Sequence, residues 1–270
     1  MISFDEFCSQ SSLFQSKAGR LLAKVIYRVT KLNRIYKIYE IACHESTDDL
    51  TFIDSIFRQV GVTVVVDNPE AIRHFSENKV FITVSNHPYG TVDGMALIRI
   101  IGNVRSDLKG MTNFMLSKIK PIAGHFIPVN PMQIASKHTS VPGLREAIAH
   151  ISGGHPLFFF PSGQVSRIVR GGKIADRTWQ MPSIRLIQRT KVPVIPIWFS
   201  GHNSWYFLLI GLIHPVLRTV FIMSEVFNKH GKTIHIRIGE PVSVEEQSRY
   251  TKAEDFGRFL YRKTYELGGI

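Results

Sequence analysis

The chain holds only two cysteines, Cys8 and Cys43, among 270 residues. They make neither a disulfide framework nor a metal-ligand spacing, which fits a reducing compartment. No stretch reaches the roughly 18 uncharged apolar residues of a spanning helix. The amino terminus, Met1-Ile2-Ser3-Phe4-Asp5-Glu6, lacks the basic region and apolar run of a signal peptide. A soluble or peripheral protein is expected rather than an integral one. The 11 histidines include no His-Glu-x-x-His and no ligand cluster, so no metal is expected. Walker and dinucleotide fingerprints are missing, and Gly153-Gly154 and Gly171-Gly172 read as turns. Acid is scarce too: 21 Asp and Glu stand against 33 Lys and Arg, a net charge of +12. Such a surface suits an anionic partner, whether nucleic acid, an anionic bilayer or an acidic carrier protein.

What is present is globular in composition, 44% hydrophobic and 20% charged. Between residues 17 and 42, Lys17, Arg20, Lys24, Arg28, Lys31, Arg34 and Lys37 recur at helical spacing against a single acid, Glu40. Ala18, Leu21, Leu22, Val25, Ile26, Val29, Leu32, Ile35 and Tyr39 take the other side. A basic amphipathic helix of this kind lies in a headgroup layer; the alternative is a surface helix whose charges are merely solvated. Cations backed by apolar residues, rather than interleaved with exposed aromatics, favour lipid over nucleic acid.

Further along, Asp48–Val60 reads as a helix that Gly61 ends, and Val62–Val66 as a strand. Residues 79–84, 111–116, 124–129 and 157–160 read as extended. A helix N-capped by Ser140 precedes the last of these, and the third ends at Asn130-Pro131. A helix is expected from Trp179 to Thr190, then an extended Val192–Phe199 whose prolines predict an edge or a bulge. A strand at 233–238 and a closing helix over 252–267 complete the pattern. The alternation argues α/β, with one domain over 61–270 behind a helical segment, 1–60. The apolar run within 203–223 leaves three readings open: a core helix, an acyl-chain pocket, or an element dipping into a membrane.

The organising stretch is Ser85-Asn86-His87-Pro88-Tyr89-Gly90-Thr91-Val92-Asp93-Gly94. A histidine leaves the carboxyl end of a strand, where sites in α/β folds gather, and an aspartate follows where a helix begins. Pro88 and Gly90 tighten the turn between them. A carboxylate on one imidazole nitrogen fixes the tautomer and leaves the other nitrogen as a base. Alternatively Asp93 only caps the helix and His87 is an ordinary loop residue. Spacing alone does not decide the reaction. Ser162 lacks a nucleophile elbow, since Phe160 and Gln164 stand where its glycines belong. Ser117-x-x-Lys120 has none of the companion motifs of its class.

Three blocks, Asn86-His87-(five residues)-Asp93, Phe160-Pro161-Ser162-Gly163 and Val192-Pro193-Val194-Ile195-Pro196, resemble those of the PlsC-like glycerolipid and lysophospholipid acyltransferases. The resemblance runs from about residue 60 to 240. It implies an α/β domain, a mixed sheet flanked by helices, working beside a membrane. It implies that His87 deprotonates an acceptor hydroxyl and Asp93 orients His87. The hydroxyl then attacks a fatty acyl thioester on acyl carrier protein or coenzyme A, with no other cofactor. This is the general-base half of a hydrolase triad, with the acceptor's hydroxyl replacing the serine. Backbone N–H groups at the start of the following helix are expected to stabilise the oxyanion.

The departures matter. The family usually has four residues between His and Asp, not five. In its third block, Ser162 replaces a glutamate, Gln164 a threonine and Val165 an arginine, while Ser166 is kept. That arginine would hold an acceptor's phosphate; Arg167 or Arg170 would have to substitute. Asn86, Ser162 and Gly163 fall where the family binds substrate. In the second block Gly124 fits, but Asn130-Pro131 replace an expected Asp-Arg. The variant pattern, with Leu217-Arg218 before Ile238-Gly239-Glu240-Pro241, resembles a bacterial branch of ornithine- and glycine-lipid O-acyltransferases and haemolysin-labelled proteins. Their acceptors carry no phosphate. The resemblance therefore implies a peripheral O-acyltransferase at the cytoplasmic face of the inner membrane, acting on a lyso-aminolipid. The alternatives are a 1-acylglycerol-3-phosphate acyltransferase, a lipid esterase using Ser162, and a membrane-binding protein without catalysis.

Overall fold

A computed structural model describes residues 4–9, 14, 16–113, 116–129, 141–213, 218 and 221–269. Ser140, Asn130-Pro131, Leu217 and Met1-Ile2-Ser3 lie outside the described residues. In chain order the helices are α1 (Phe4–Ser9), α2 (Lys17–Val29), α3 (Leu32–Glu45), α4 (Asp49–Val60), α5 (Arg73–Glu77), α6 (Thr91–Gly102), α7 (Val141–Ser152), α8 (Met181–Thr190), α9 (Trp205–Ile213), α10 (Val244–Ser248) and α11 (Ala253–Glu266). The strands are β1 (Val62–Val66), β2 (Ile82–Ser85), β3 (Lys109–Asn113), β4 (Phe126–Val129), β5 (Leu157–Phe159), β6 (Arg167–Ile168), β7 (Ile174–Ala175), β8 (Val194–Phe199) and β9 (Lys232–Ile238). The chain forms two compact units, one of residues 1–62 with 203–232 and one of 63–202 with 233–270. The sequence division at 60/61 had left 203–232 with the α/β part.

In the first unit, the single helix expected over 17–42 is two. Thr30 turns its hydroxyl back onto the Ile26 carbonyl at 2.6 Å, and Lys31 takes a left-handed φ of 56°. The i−4 back-bond and the backbone reversal together end α2. α2 buries a stripe of Gly19, Ala23 and Tyr27. Its larger aliphatics stay out, with Leu21 66%, Leu22 54%, Val25 53% and Val29 56% exposed. α4 ends at Gly61, φ 73°, as the sequence predicts, and starts at a capping box between Asp48 and Thr51. α9 buries Phe207 and Leu208 but exposes Trp205, Tyr206, Leu209, Leu212 and Ile213, so it is not an ordinary core helix. Its start is held by a buried charge pair: Glu225 accepts from the Ser204 amide at 2.7 Å and its hydroxyl at 2.8 Å. Lys229 donates to Glu225 at 3.2 Å and to Asn203 at 2.8 Å. Among the described residues no helix is long and apolar enough to cross a membrane.

The second unit is built on a seven-stranded mixed sheet of order β1-β9-β8-β2-β5-β3-β4. β2 pairs in parallel with both β5 and β8, while β9 runs antiparallel to β8. On one face, Ile82, Val84, Leu157, Phe159 and Val194 pack with Ile184 and Ile187 of α8 and with Phe256, Phe259 and Leu260 of α11. Each such side chain contributes about 1.5–3 kcal/mol when fully buried. The proline-bearing β8 is interior, so of the two expectations the edge fails and the bulge holds. Pro196 accepts from the Gly239 amide at 2.8 Å, just past the last residue of β9. Pairing resumes beyond it, Val194 and Val242 exchanging amide hydrogen bonds of 3.1 and 2.7 Å, so two residues of β8 lie opposite three and Pro196 sits in a β-bulge. Because β2, β5 and β8 are parallel neighbours, with Val84 opposite Phe159 and Ser85 opposite Ile197, their carboxyl-end loops leave at one edge. That edge gathers motifs more than 70 residues apart in sequence.

Candidate active site

His87 follows β2 directly and Asp93 sits in the first turn of α6. His87 Nδ1 lies 2.9 Å from Asp93 Oδ2, with the imidazole 17% exposed and the aspartate 0%. The separation is that of a charge-assisted contact, although the N–H direction is off line and the other carboxylate oxygen, Oδ1, has no hydrogen-bond partner among the described residues. Oδ2 also accepts from the amides of Tyr89 at 2.9 Å and Gly90 at 3.0 Å. Asp93 thus caps the helix and faces the histidine at once, so the two sequence readings are not exclusive. The turn between His87 and Asp93 passes through Gly90, whose φ of 91° and ψ of −119° suit glycine alone. The Tyr89 and Gly90 amides are committed to Asp93, which removes them from any oxyanion role.

His87 is held on further sides. Its ring stacks on Phe160 with centroids 3.9 Å apart and planes 24° apart. Its carbonyl accepts from the Ser166 amide at 2.8 Å, and its amide donates to Asp176 Oδ1 at 3.2 Å. Nδ1 is the ring nitrogen turned toward Asp93, and Nε2 the one turned away from it.

Asn86, expected to bind substrate, is buried and employed otherwise. Its amide donates to the Phe199 carbonyl at 2.9 Å and accepts from the Phe199 N–H at 2.7 Å, continuing the β2–β8 ladder with a side chain. Ser162 is 0% exposed and its hydroxyl donates to the Gln164 carbonyl at 2.7 Å, which suits neither substrate contact nor nucleophile. Gly163 turns the chain with φ 64° beneath the Gln180 side chain. Arg167 and Arg170 are exposed on the β6–β7 hairpin, whose tip is Gly171-Gly172, both at positive φ. Among the described residues no group of three or more His, Cys, Asp or Glu is placed to hold a metal.

Asp176 is the site residue that the sequence reading missed. It is 3% exposed; Oδ1 accepts from the Ser166 hydroxyl at 2.6 Å as well as from His87, and Oδ2 from the Trp179 indole at 3.3 Å. Burial pushes its carboxyl up, while the Ser166 hydroxyl and the charge of His87 pull the other way. A signal existed: Asp176 is the only acidic residue between Glu146 and Glu225.

The family model described as acyltransferase matches residues 11–269. The chain belongs to this acyltransferase family. Among relatives of the acyltransferase, a lyso-glycine lipid O-acyltransferase of Phocaeicola vulgatus is 27% identical over 205 residues, 73% of this chain and 72% of that one. Another lyso-glycine lipid O-acyltransferase, from Bacteroides thetaiotaomicron, is 26% identical over 233 residues, 83% of each chain. The crystal structure of the 1-acyl-sn-glycerophosphate acyltransferase PlsC from Thermotoga maritima superposes with a TM-score of 0.53 at 17% identity. It covers 92% of this chain and 88% of that one, a likeness of fold. The acyltransferase thus has the mixed α/β architecture expected of it, with the block-one histidine at the carboxyl edge of the central strand.

Proposed function

We propose that this acyltransferase moves a fatty acyl group from a thioester, on acyl carrier protein or coenzyme A, to the hydroxyl of a lyso-lipid. The carrying observation is the His87–Asp93 contact of 2.9 Å, with the carboxylate buried and the ring partly open. His87 Nε2 takes the acceptor's proton as its oxygen attacks the thioester carbonyl. The tetrahedral intermediate collapses, the C–S bond breaks, and the imidazolium returns the proton to the leaving sulfur. The acceptor we favour is a phosphate-free aminolipid, a lyso-glycine or lyso-ornithine lipid. Support comes from the relatives' names and from Val165 at the place of the phosphate-holding arginine. Arg167 and Arg170 keep a phosphate-bearing acceptor as the second reading, because both are exposed on the hairpin that follows Ser166.

The reading includes peripheral attachment to an anionic bilayer at the cytoplasmic face of the inner membrane. It is supported by the aliphatic residues that α2 leaves exposed between its cations, and by the exposed aromatic and aliphatic face of α9. The test is transfer of labelled acyl groups from each thioester to lyso-glycine lipid and to lysophosphatidic acid. Transfer to the first, lost in His87→Ala with the fold retained, is expected. Full activity of His87→Ala would remove the base, and transfer to lysophosphatidic acid alone would replace the acceptor.

A further inference from the structure

The hairpin that follows the third block has two unlike sides. Arg167 pairs with Ala175 and Ile168 with Ile174. One step outward in the same register, Ser166 faces Asp176. Because side chains alternate along a strand, Ser166 and Asp176 fall on the side of Ile168 and Ile174, away from Arg167 and Arg177. Both are 3% exposed, while Arg167, Lys173 and Arg177 are exposed. The inner pair grips one residue of β2's loop: the Ser166 amide donates to the His87 carbonyl at 2.8 Å, and Asp176 Oδ1 accepts from the His87 amide at 3.2 Å. Asp176 is itself fixed from α11, its amide donating to the Tyr265 hydroxyl at 2.7 Å.

We propose that Asp176 is a positioning residue for His87: it sets the pose of the histidine's backbone and places a second negative charge near the imidazole. The inference rests on His87 being the base. Three donors, the His87 amide, the Ser166 hydroxyl and the Trp179 indole, point at the carboxylate, and this is the pattern that an ionised group satisfies. Among the described residues, the titratable groups around His87 are Asp93 on α6, Tyr89 in its own loop, and Asp176, behind which stand Tyr261 and Tyr265 of α11. Of these, Asp93 and Asp176 are the two carboxyl groups. Two carboxylates on separate elements thus act on one ring, Asp93 through Nδ1 and Asp176 through the backbone and through space.

The test uses the full chain, with acyl transfer followed across pH for Asp176→Ala, Asp176→Asn, Ser166→Ala and His87→Ala, and with folding checked by circular dichroism and thermal unfolding. Asp176→Ala is expected to lower kcat roughly 10–100-fold while KM for thioester and acceptor stays nearly constant. Asp176→Asn keeps an oxygen for the His87 amide, so most of kcat returns. Its acidic limb nevertheless moves to lower pH, because the charge that favours imidazolium is gone. Wild-type kcat and pH profile in both folded Asp176 variants would overturn the proposal, as would a loss expressed in KM alone. Should Asp176→Ala not fold, the asparagine variant decides by its acidic limb: a shift supports the role and an unmoved limb refutes it. An active His87→Ala would instead refute the base itself, whatever the Asp176 variants do.

Discussion

Asp93→Asn changes one atom at the centre of the site. Oδ2 of Asp93 accepts from the Tyr89 and Gly90 amides and lies 2.9 Å from His87 Nδ1, whereas Oδ1 has no hydrogen-bond partner among the described residues. An asparagine whose oxygen takes the Oδ2 place keeps all three neighbours, and its nitrogen replaces the oxygen that bonds to nothing. Shape, cap and tautomer survive; only the charge is lost. A hydrogen bond to a charged group contributes about 1.5–3 kcal/mol net, and about 1.4 kcal/mol is tenfold in rate. Spread over a step that makes imidazolium, that is a fall of roughly 10- to 150-fold in kcat. Stability should change by no more than about 1–2 kcal/mol. Asp93→Ala, by contrast, strands two buried amides at about 1–3 kcal/mol each, so it should lose both activity and melting temperature. Steady-state acyl transfer beside thermal unfolding separates the two variants. A folded Asp93→Asn protein with wild-type kcat would show that the carboxylate's charge is irrelevant to the chemistry, and the mechanism would go with it.

Ser162→Ala should keep kcat within a few-fold, and the wild-type protein should resist fluorophosphonate labelling; covalent labelling at Ser162 would revive the esterase reading. Burial pushes the Glu225 carboxyl up, but the Ser204 amide, Lys229 and the Ser204 hydroxyl outweigh it and hold it below the usual range. A carboxyl lowered in this way stabilises fully above its unfolded value, about 4.3, and the contribution fades as pH falls through the folded one. The unfolding midpoint should therefore drop on acidification below about pH 4. Glu225→Gln should flatten that dependence and cost about 3–5 kcal/mol for a stranded Lys229. Changing Leu21, Leu22 and Val25 together to serine should weaken binding to anionic vesicles by at least about tenfold, since each aliphatic brings about 1.5–3 kcal/mol when fully buried. The melting temperature should hold, because these side chains are already exposed; unaltered vesicle binding would remove α2 from the membrane surface.

The strand before His87, the turn chemistry of Pro88 and Gly90, and the end of α4 at Gly61 were legible because each depends on neighbours in sequence. Parallel pairing of β2, β5 and β8 was implied by the alternation of strands and helices, and it is what lets Phe160 reach His87. The break at Thr30 was not legible, since the periodicity of 17–42 continues across it and only a side-chain back-bond marks the stop. The prolines of β8 left edge and bulge both open in the sequence, and only the pairing of Val194 with Val242 beyond β9 decides for the bulge. Asn86 and Ser162 sit in the expected blocks, but their side chains turn to Phe199 and Gln164, contacts that depend on strand order and loop path. Asp176 needed hairpin register before its isolation among basic residues meant anything.

The aromatic face against His87 has a geometric consequence. With Phe160 lying flat on the imidazole at 3.9 Å, a half-turn of the ring about its Cβ–Cγ bond would sweep its edge through the phenyl group. Exchange of the two nitrogens therefore requires Phe160 to move aside, and one face of the heterocycle is covered. In the proposed mechanism the acceptor meets Nε2 in the ring plane, and Phe160 closes one of the two sides from which its chain could approach.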